Sequence, residues 1–210
     1  MDCPRTQERT CNDAKGICMM PGTSLSLDES DFIIEHLLAS SLDGKQISGF
    51  AAGNNAFGLE VYLKDYATND ERAKESRTYL VRDAVSNELA CYFSLRTCLV
   101  PIALSGGLFS TIPAIELSNF AVNERYKAKE RAVRKVGAYV LAAFIRPIAQ
   151  YVSEFVGAKW LCIYALPDDK LIGYYGKLGF SRLPAEQESF VYSHVKPKYD
   201  DGCIFMYQPL

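Results

Sequence analysis

Three groups of residues in this 210-residue chain have the types and spacing to do chemistry. The first is basic. Arg125, Lys127, Lys129, Arg131, Arg134 and Lys135 lead into Val136-Gly137-Ala138, which opens an apolar helical run. The free N–H groups of a helix N-terminus favour acids there, so a cationic approach points to a bound anion. A glycine lets backbone N–H groups come close to phosphate, and arginine adds bidentate geometry. The plain alternative is a solvated basic helix start. The second group is a carboxylate in an apolar strand, Glu116 of AIELSNFAV. Strand period places Glu116, Ser118, Phe120 and Val122 on one face. A carboxylate there can take a proton through water, or it can simply be salt-bridged. The third is a pair of adjacent phenols, Tyr174 and Tyr175, on a short helix before Gly179-Phe180. The two histidines, His36 and His194, lie outside all three groups.

The bulk numbers narrow the class. The chain is 49% hydrophobic and 23% charged, with 13 Tyr and 11 Phe, which excludes a disordered protein and suits a sizeable core. A net charge of −2 gives no overall field for nucleic acid or an anionic membrane. The cysteines stand at 3, 11, 18, 91, 98, 162 and 203. With no apolar signal-like run at the start and no stretch read as membrane-spanning, a cytoplasmic protein with reduced thiols is expected. Cys162 and Cys203 fall in apolar runs and read as small core residues. Cys3, Cys11 and Cys18 match no ligand spacing, so no metal is expected.

The elements that hold these groups follow from periodicity. Residues 1–22 are polar and aperiodic, a loose tail ahead of a single domain over 23–210. A helix is expected over Leu25–Ser41, capped by Ser26 or Asp28, with Phe32, Ile33, Leu37 and Leu38 as its stripe. Leu42–Gly53 is a turn-rich link. Asn54 or Asn55 opens a second helix bearing Phe57, Leu59, Val61, Tyr62, Leu63 and Tyr66. Arg77–Val85 and Glu88–Leu99 read as an antiparallel hairpin. Residues 100–113 read as a loop, although Pro101–Leu104 also fits a strand. The apolar content of this loop suits packing on a site or a partner. Ala114–Val122 is a strand, and Arg134–Phe155 a long helix that Pro147 should kink or divide. Leu161–Ala165 is a buried strand. Asp168 or Asp169 caps the helix after it, and Gly179 ends that helix. Final strands are expected within Ser189–Leu210.

The ending Tyr174-Tyr175-Gly176-Lys177-Leu178-Gly179-Phe180 resembles the second half of the acetyl-CoA-binding core of the GNAT family of N-acetyltransferases. That family usually has an aromatic-Tyr pair, two residues, a leucine or other residue, then Gly and Phe. Asp168 stands seven positions before Tyr175, where the family usually has Asn. The other half of the core is a strand, then Gln or Arg, two residues, Gly, one residue, and Gly or Ala opening a long helix. Here the glycines are sparse. One register puts Gly137 at the last small position, Lys135 at the first glycine and Ala132 at the Gln/Arg place. The other uses Arg134 as the arginine and leaves Tyr139 at the last small position. The first is preferred, because Val136–Leu141 has the family's helix-opening look.

The resemblance implies an α/β (α+β) GNAT fold. Its mixed central sheet carries helices on both faces, splays between the fourth and fifth strands, and is closed by its last two strands. It implies transfer of an acetyl group from acetyl-CoA, as cosubstrate, to a primary amine by direct attack in a ternary complex. Carried over by position, the main chain of Asn119, Phe120, Ala121 and Val122 serves the thioester carbonyl and pantetheine. Arg131, Arg134, Lys135, Val136, Gly137 and Ala138 would hold the pyrophosphate, with Asp168 and Tyr174 on the same cofactor side. Tyr175 takes the place of the general acid for the thiolate, and Glu116 lies where several members carry a carboxylate. Phe50-Ala51-Ala52-Gly53-Asn54-Asn55, followed by Leu59, Leu63, Ala67 and Arg77-Thr78-Tyr79, is loosely similar to the toxin branch, which acetylates aminoacyl-tRNA. That branch brings tRNA and an antitoxin as partners, and a homodimer is compatible with it. The acidic balance argues against a broad RNA surface and the basic run argues for one. A non-catalytic module that only holds CoA is the alternative class.

Overall fold

The computed structural model describes residues 32–42, 44–53, 56–129, 135–195 and 202–210. The expected tail, the caps at Ser26, Asp28, Asn54 and Asn55, and Arg131 and Arg134 lie outside them. Among the described residues, six strands form one mixed sheet in the order β1 to β6. They are β1 Phe32–His36, β2 Arg77–Asp83, β3 Leu89–Ala103, β4 Phe109–Val122, β5 Trp160–Ala165 and β6 Ile204–Pro209. The first four are antiparallel neighbours, β4 and β5 run parallel, and β6 returns antiparallel to β5.

Helices cover both faces. On one face α5 (Val136–Val140), a π turn (Leu141–Ile145), α6 (Arg146–Val156) and α7 (Asp169–Lys177) bury Val140, Phe144, Ile145, Ile148 and Tyr175 against Phe93, Leu117, Leu161 and Ile163. On the other, Tyr62, Leu63 and Ala67 pack on Leu80, Tyr92 and Ala121. They come from a second π turn (Tyr62–Tyr66) and α3 (Ala67–Arg72), which follow α2 (Phe57–Val61). Further along that face α8 (Ala185–His194) adds Val191 over Val100, Ala114, Cys162 and Phe205. Short helices at Gly44–Ser48 (α1) and Glu124–Lys127 (α4) fill the links.

Four expectations are corrected. Phe32–His36 is a strand, with Phe32 and Ile34 buried by pairing along β2 from Asp83 to Tyr79, so long-range bonding overrides the helical stripe. The expected loop at 100–113 is mostly strand. β3 and β4 stay paired out to Ala103↔Phe109, and Gly106 and Gly107 turn the chain at φ of 74° and 75°. Among the described residues, the final strands reduce to β6 and a single bridge, Ser181↔Tyr207, while SFVYSH lies in α8. Glu186 and Glu188 in the first turn suit that helix. Finally, Val136–Val156 is long and apolar enough to cross a membrane by length and composition. Val140, Phe144, Ile145 and Ile148 meet the core described above, while Phe155 and Val156 at its end are exposed.

The helix runs on through Pro147 without a break, with helical backbone at Ile145 and Arg146. The π turn Leu141–Ile145 widens the backbone just ahead of the ring, which has no N–H to give. Cys91, Cys162 and Cys203 are buried, and burial alone pushes the Cys91 thiol up.

His36 stacks on Tyr79 with ring centroids 4.6 Å apart. Burial, then the Arg77 charge, lowers its pKa to about 4 from 6.5. An unfolded His36 binds a proton below about 6.5 while the folded one stays neutral to about 4. The unfolded chain therefore holds the extra proton in between, and stability falls as pH drops through that window. Urea midpoints at pH 7 and pH 5 are expected to differ in the wild type and to converge in His36→Phe.

Candidate functional site

The site begins where two strands part. β4 and β5 share three rungs, Ala114↔Trp160, Ile115↔Leu161 and Glu116↔Cys162. Past Glu116, β4 runs on to Val122 and β5 to Ala165 with no pairing between them. The edges thus freed face a gap. A bulge accompanies the parting: Ser94 pairs with Asn119 and Leu95 with Leu117, which leaves Ser118 as an extra residue on β4. Its hydroxyl donates to the Ser94 carbonyl at 3.3 Å, and Asn119 Nδ2 donates to Ser118 Oγ at 3.3 Å. A bulge bends a strand and increases its twist.

The bulge also overturns the expected face. Ile115, Leu117, Phe120 and Val122 all meet the core under α5 and α7. Ala121 belongs to the core under α2 and α3. Glu116, between Ile115 and Leu117, therefore points away from Phe120 and Val122. One inserted residue reverses the alternation.

On the α5 side, Gly137 closes in on the freed half of β4. A Cβ built there would lie 3.0 Å from the Tyr174 hydroxyl, 3.6 Å from Val122 Cγ2 and 3.7 Å from Phe120 Cζ. The fold thus brings four expected site residues together, around a position where a side chain would press on the Tyr174 hydroxyl. Lys135, just before the helix, has a left-handed backbone with φ of 60°. That conformation favours glycine, so it fits the register in which Lys135 takes the family's first glycine. Val136 is buried and Ala138 half-buried, so backbone rather than Val136's side chain faces solvent there.

Tyr175 lies one residue further along α7. Its ring is buried against Phe180 (centroids 5.6 Å) and Tyr174 (5.8 Å). Burial first, then neighbouring Tyr174, pushes its phenol well above the usual range. Burial likewise raises Tyr174. Both phenols therefore keep their protons at neutral pH. Asp168 starts α7 as its cap, accepting from Lys170 N at 2.8 Å and Leu171 N at 3.0 Å. One oxygen meets both first-turn donors, a local structural task.

On the opposite face Glu116 is buried and paired with Arg96 on β3, Nη2 to Oε1 at 2.7 Å. The two are direct cross-strand partners. Arg96 was not singled out in the sequence, although a lone cation within the apolar run ELACYFSLRTCL was a signal for it. Cys162 ends the last rung, its thiol 3.5 Å from that of Cys98. The Cys98 hydrogen bond and burial raise it well above the ordinary thiol range. Of the basic run, Lys127 pairs with Glu124 at 2.6 Å and Lys129 with Glu88, so these two cations already have acidic partners.

No family model matches the chain, and no curated protein matches its sequence. Solved structures do match. A tyrosine-to-phenylalanine variant of the AtaT toxin superposes with a TM-score of 0.61 at 20% identity, over 85% of this chain and 89% of that one. A tyrosine-to-phenylalanine variant of KacT gives 0.60 at 19%, over 86% and 95%. AtaT complexed with acetyl-methionyl-tRNAfMet gives 0.59 at 19%, over 85% and 95%. At this identity the likeness establishes the fold. The chain has the GNAT fold, a mixed sheet splayed between its fourth and fifth strands.

Gly137→Leu keeps a good helix former in α5 but fills the space shared by Tyr174, Phe120 and Val122. Calorimetric titration is expected to show acetyl-CoA affinity reduced roughly tenfold or more, the loss of close backbone approach at a phosphate-type site. Unchanged affinity would remove Gly137 from the cofactor side.

Proposed function

We propose that this protein is an acetyl-CoA-dependent N-acetyltransferase acting on a primary amine. The observation that carries this reading is the parting of β4 and β5 after Glu116↔Cys162, with Gly137 kept bare opposite the freed half of β4. An extended thioester cosubstrate fits a gap whose wall is strand backbone with open hydrogen-bonding groups. The residues present suit it. The main chain of Asn119 to Val122 would pair with pantetheine and hold the carbonyl. Lys135, Val136, Gly137 and Ala138 would bring N–H groups and one cation to the pyrophosphate, and Arg131 and Arg134 would add charge. Tyr174 would line the cofactor side, and Asp168 would act by fixing the start of α7.

The chemistry divides between the two faces of the sheet. The acceptor nitrogen attacks the thioester carbonyl, a C–N bond forms, the C–S bond breaks, and the sulfur leaves needing a proton. Tyr175, on the α7 face and protonated at neutral pH, would supply it. Glu116, on the other face, would take the proton of the amine through water, with Arg96 holding its carboxylate in place. Direct transfer in a ternary complex follows, because acid and base address opposite mouths of one gap.

A second reading concerns the acceptor. Neighbouring structures include AtaT with acetyl-methionyl-tRNAfMet, the AtaTR complex with acetyl-CoA, and a KacTA–DNA complex. These support an aminoacyl-tRNA acceptor and an antitoxin partner for this chain.

Mass spectrometry of the purified protein is expected to find bound CoA. Tyr175→Phe should lower turnover more than tenfold with CoA affinity nearly unchanged, whereas Tyr174→Phe should act mainly on KM. CoA bound without product across a panel of amines and charged tRNAs would make the protein a binding module. Absence of any heat with acetyl-CoA would overturn the reading altogether.

A further inference from the structure

The sheet face that carries Glu116 has two separate apolar covers. Tyr92 and Ala121 belong to one, and Val100 and Ala114 to the other, beneath α8. Between them a polar row crosses the sheet. On β3, Ser94 and Arg96 stand between Tyr92 and Val100, and on β4 Glu116 stands between Ala114 and Ala121. Members of the row bond to one another. The hydroxyls of Ser94 and Thr78 on β2 are 2.8 Å apart, and Arg96 holds Glu116.

On β5 the row continues with Tyr164. It lies two residues past Cys162, so it shares the face of Cys162 and Glu116. It also belongs to the half of β5 that β4 has left, so it borders the gap from the side opposite Glu116. The residue is half-buried, and its ring packs on Phe205 with centroids 5.3 Å apart. Burial first, then Cys162 and the Glu116 carboxylate, pushes its phenol above the usual range. The hydroxyl therefore keeps its proton and lies within range of the Glu116 charge. Among the described residues it makes no hydrogen bond. A tyrosine hydroxyl taken out of water usually finds a partner. Tyr192, in the same cluster, has two: it donates to Glu188 at 3.1 Å and accepts from Phe205 N at 2.9 Å. Packing alone would be served at position 164 by phenylalanine.

We propose that Tyr164 is a specificity-determining residue of the acceptor side, its hydroxyl oxygen accepting one N–H of the incoming primary amine. This rests on the N-acetyltransferase reading above. A neutral primary amine carries two N–H bonds and a lone pair. The lone pair must face the thioester carbonyl. One N–H carries the proton that passes through water to Glu116. The other points to the far wall of the mouth, where Tyr164 stands. Tyr164 keeps its own proton throughout. The two contacts fix rotation of the nitrogen about its C–N bond, so the lone pair is aimed before attack. A secondary amine has a single N–H, and the proton route requires it. The Tyr164 hydroxyl is then left facing an alkyl group. A site built around a hydroxyl discriminates against an analogue that leaves it unpaired.

Paired acceptors test this. Methionine amide, benzylamine and methionyl-tRNA are each assayed beside the N-methyl derivative, and the ratio of kcat/KM within each pair is read. The wild type is expected to favour the primary amine. Tyr164→Phe keeps the ring on Phe205 and should cut that preference roughly fivefold to tenfold, the effect of one hydrogen bond, by lowering kcat/KM for the primary amine alone. Acetyl-CoA affinity, read by calorimetry, should stay at the wild-type value. Tyr192→Phe removes a hydroxyl that serves the fold and should keep the wild-type ratio. An unchanged ratio in Tyr164→Phe, or an equal fall in Tyr192→Phe, overturns the assignment and leaves the acetyltransferase reading standing. A wild type that acetylates none of the three primary amines overturns both.

Discussion

The constraint on which this molecule turns is the early end of one strand pairing. β4 and β5 bond over three rungs and then separate, although both strands continue. Parallel pairing is the weaker kind of ladder, and the extra residue at Ser118 bends β4 just past the last rung. Freed backbone donors and acceptors are costly if left buried and dry. A sheet with such an opening at its centre has to give those groups to water or to a guest. The rest of the architecture is arranged round the opening, with α5 and α7 on one side of it and the Glu116–Arg96 pair on the other.

The bulge has a second consequence. It turns Glu116 and the residues Phe120 and Val122 to opposite faces, so the gap has two chemically distinct mouths. One is lined by phenols whose protons are held by burial. The other holds a buried carboxylate matched to a guanidinium. A buried ion pair adds little net stability, but removing one partner typically costs about 3–5 kcal/mol. Arg96 therefore secures the carboxylate's position more than the fold's stability, and it keeps a charged oxygen beside the opening. The same face carries the thiols of Cys98 and Cys162, 3.5 Å apart across β4.

Features set by near neighbours in sequence were legible before the fold was known. Asp168 caps α7 through donors two and three residues away, and Gly179 ends the helix with φ of 92°. Pro147 is met by a π turn just ahead of it, because its ring and missing N–H act within one turn. Cys162 and Cys203 were readable as core from their apolar surroundings. Phe32–His36 was not legible as a strand, because three apolar residues followed by Glu35 and His36 fit either period and only β2 decides between them. Residues 100–113 looked like a loop from their prolines and glycines, yet each strand of this hairpin is satisfied by the other. α8 replaced an expected strand because Val191, with Leu183 just ahead of the helix, found an apolar floor on Val100 and Phe205.

The candidate site divides in the same way. Types and spacing marked Tyr174, Tyr175, Gly137 and Glu116, and the kind of chemistry came from their resemblance to a family motif. Those marks are short-range patterns that survive in one dimension. The tertiary structure alone decided which of them meet: that the Tyr174 hydroxyl abuts Gly137, that Glu116 belongs to Arg96, and that one unpaired residue sends Tyr175 and Glu116 to opposite sides. Such outcomes depend on bonds between strands dozens of residues apart, where a register shift of one position inverts every side chain beyond it.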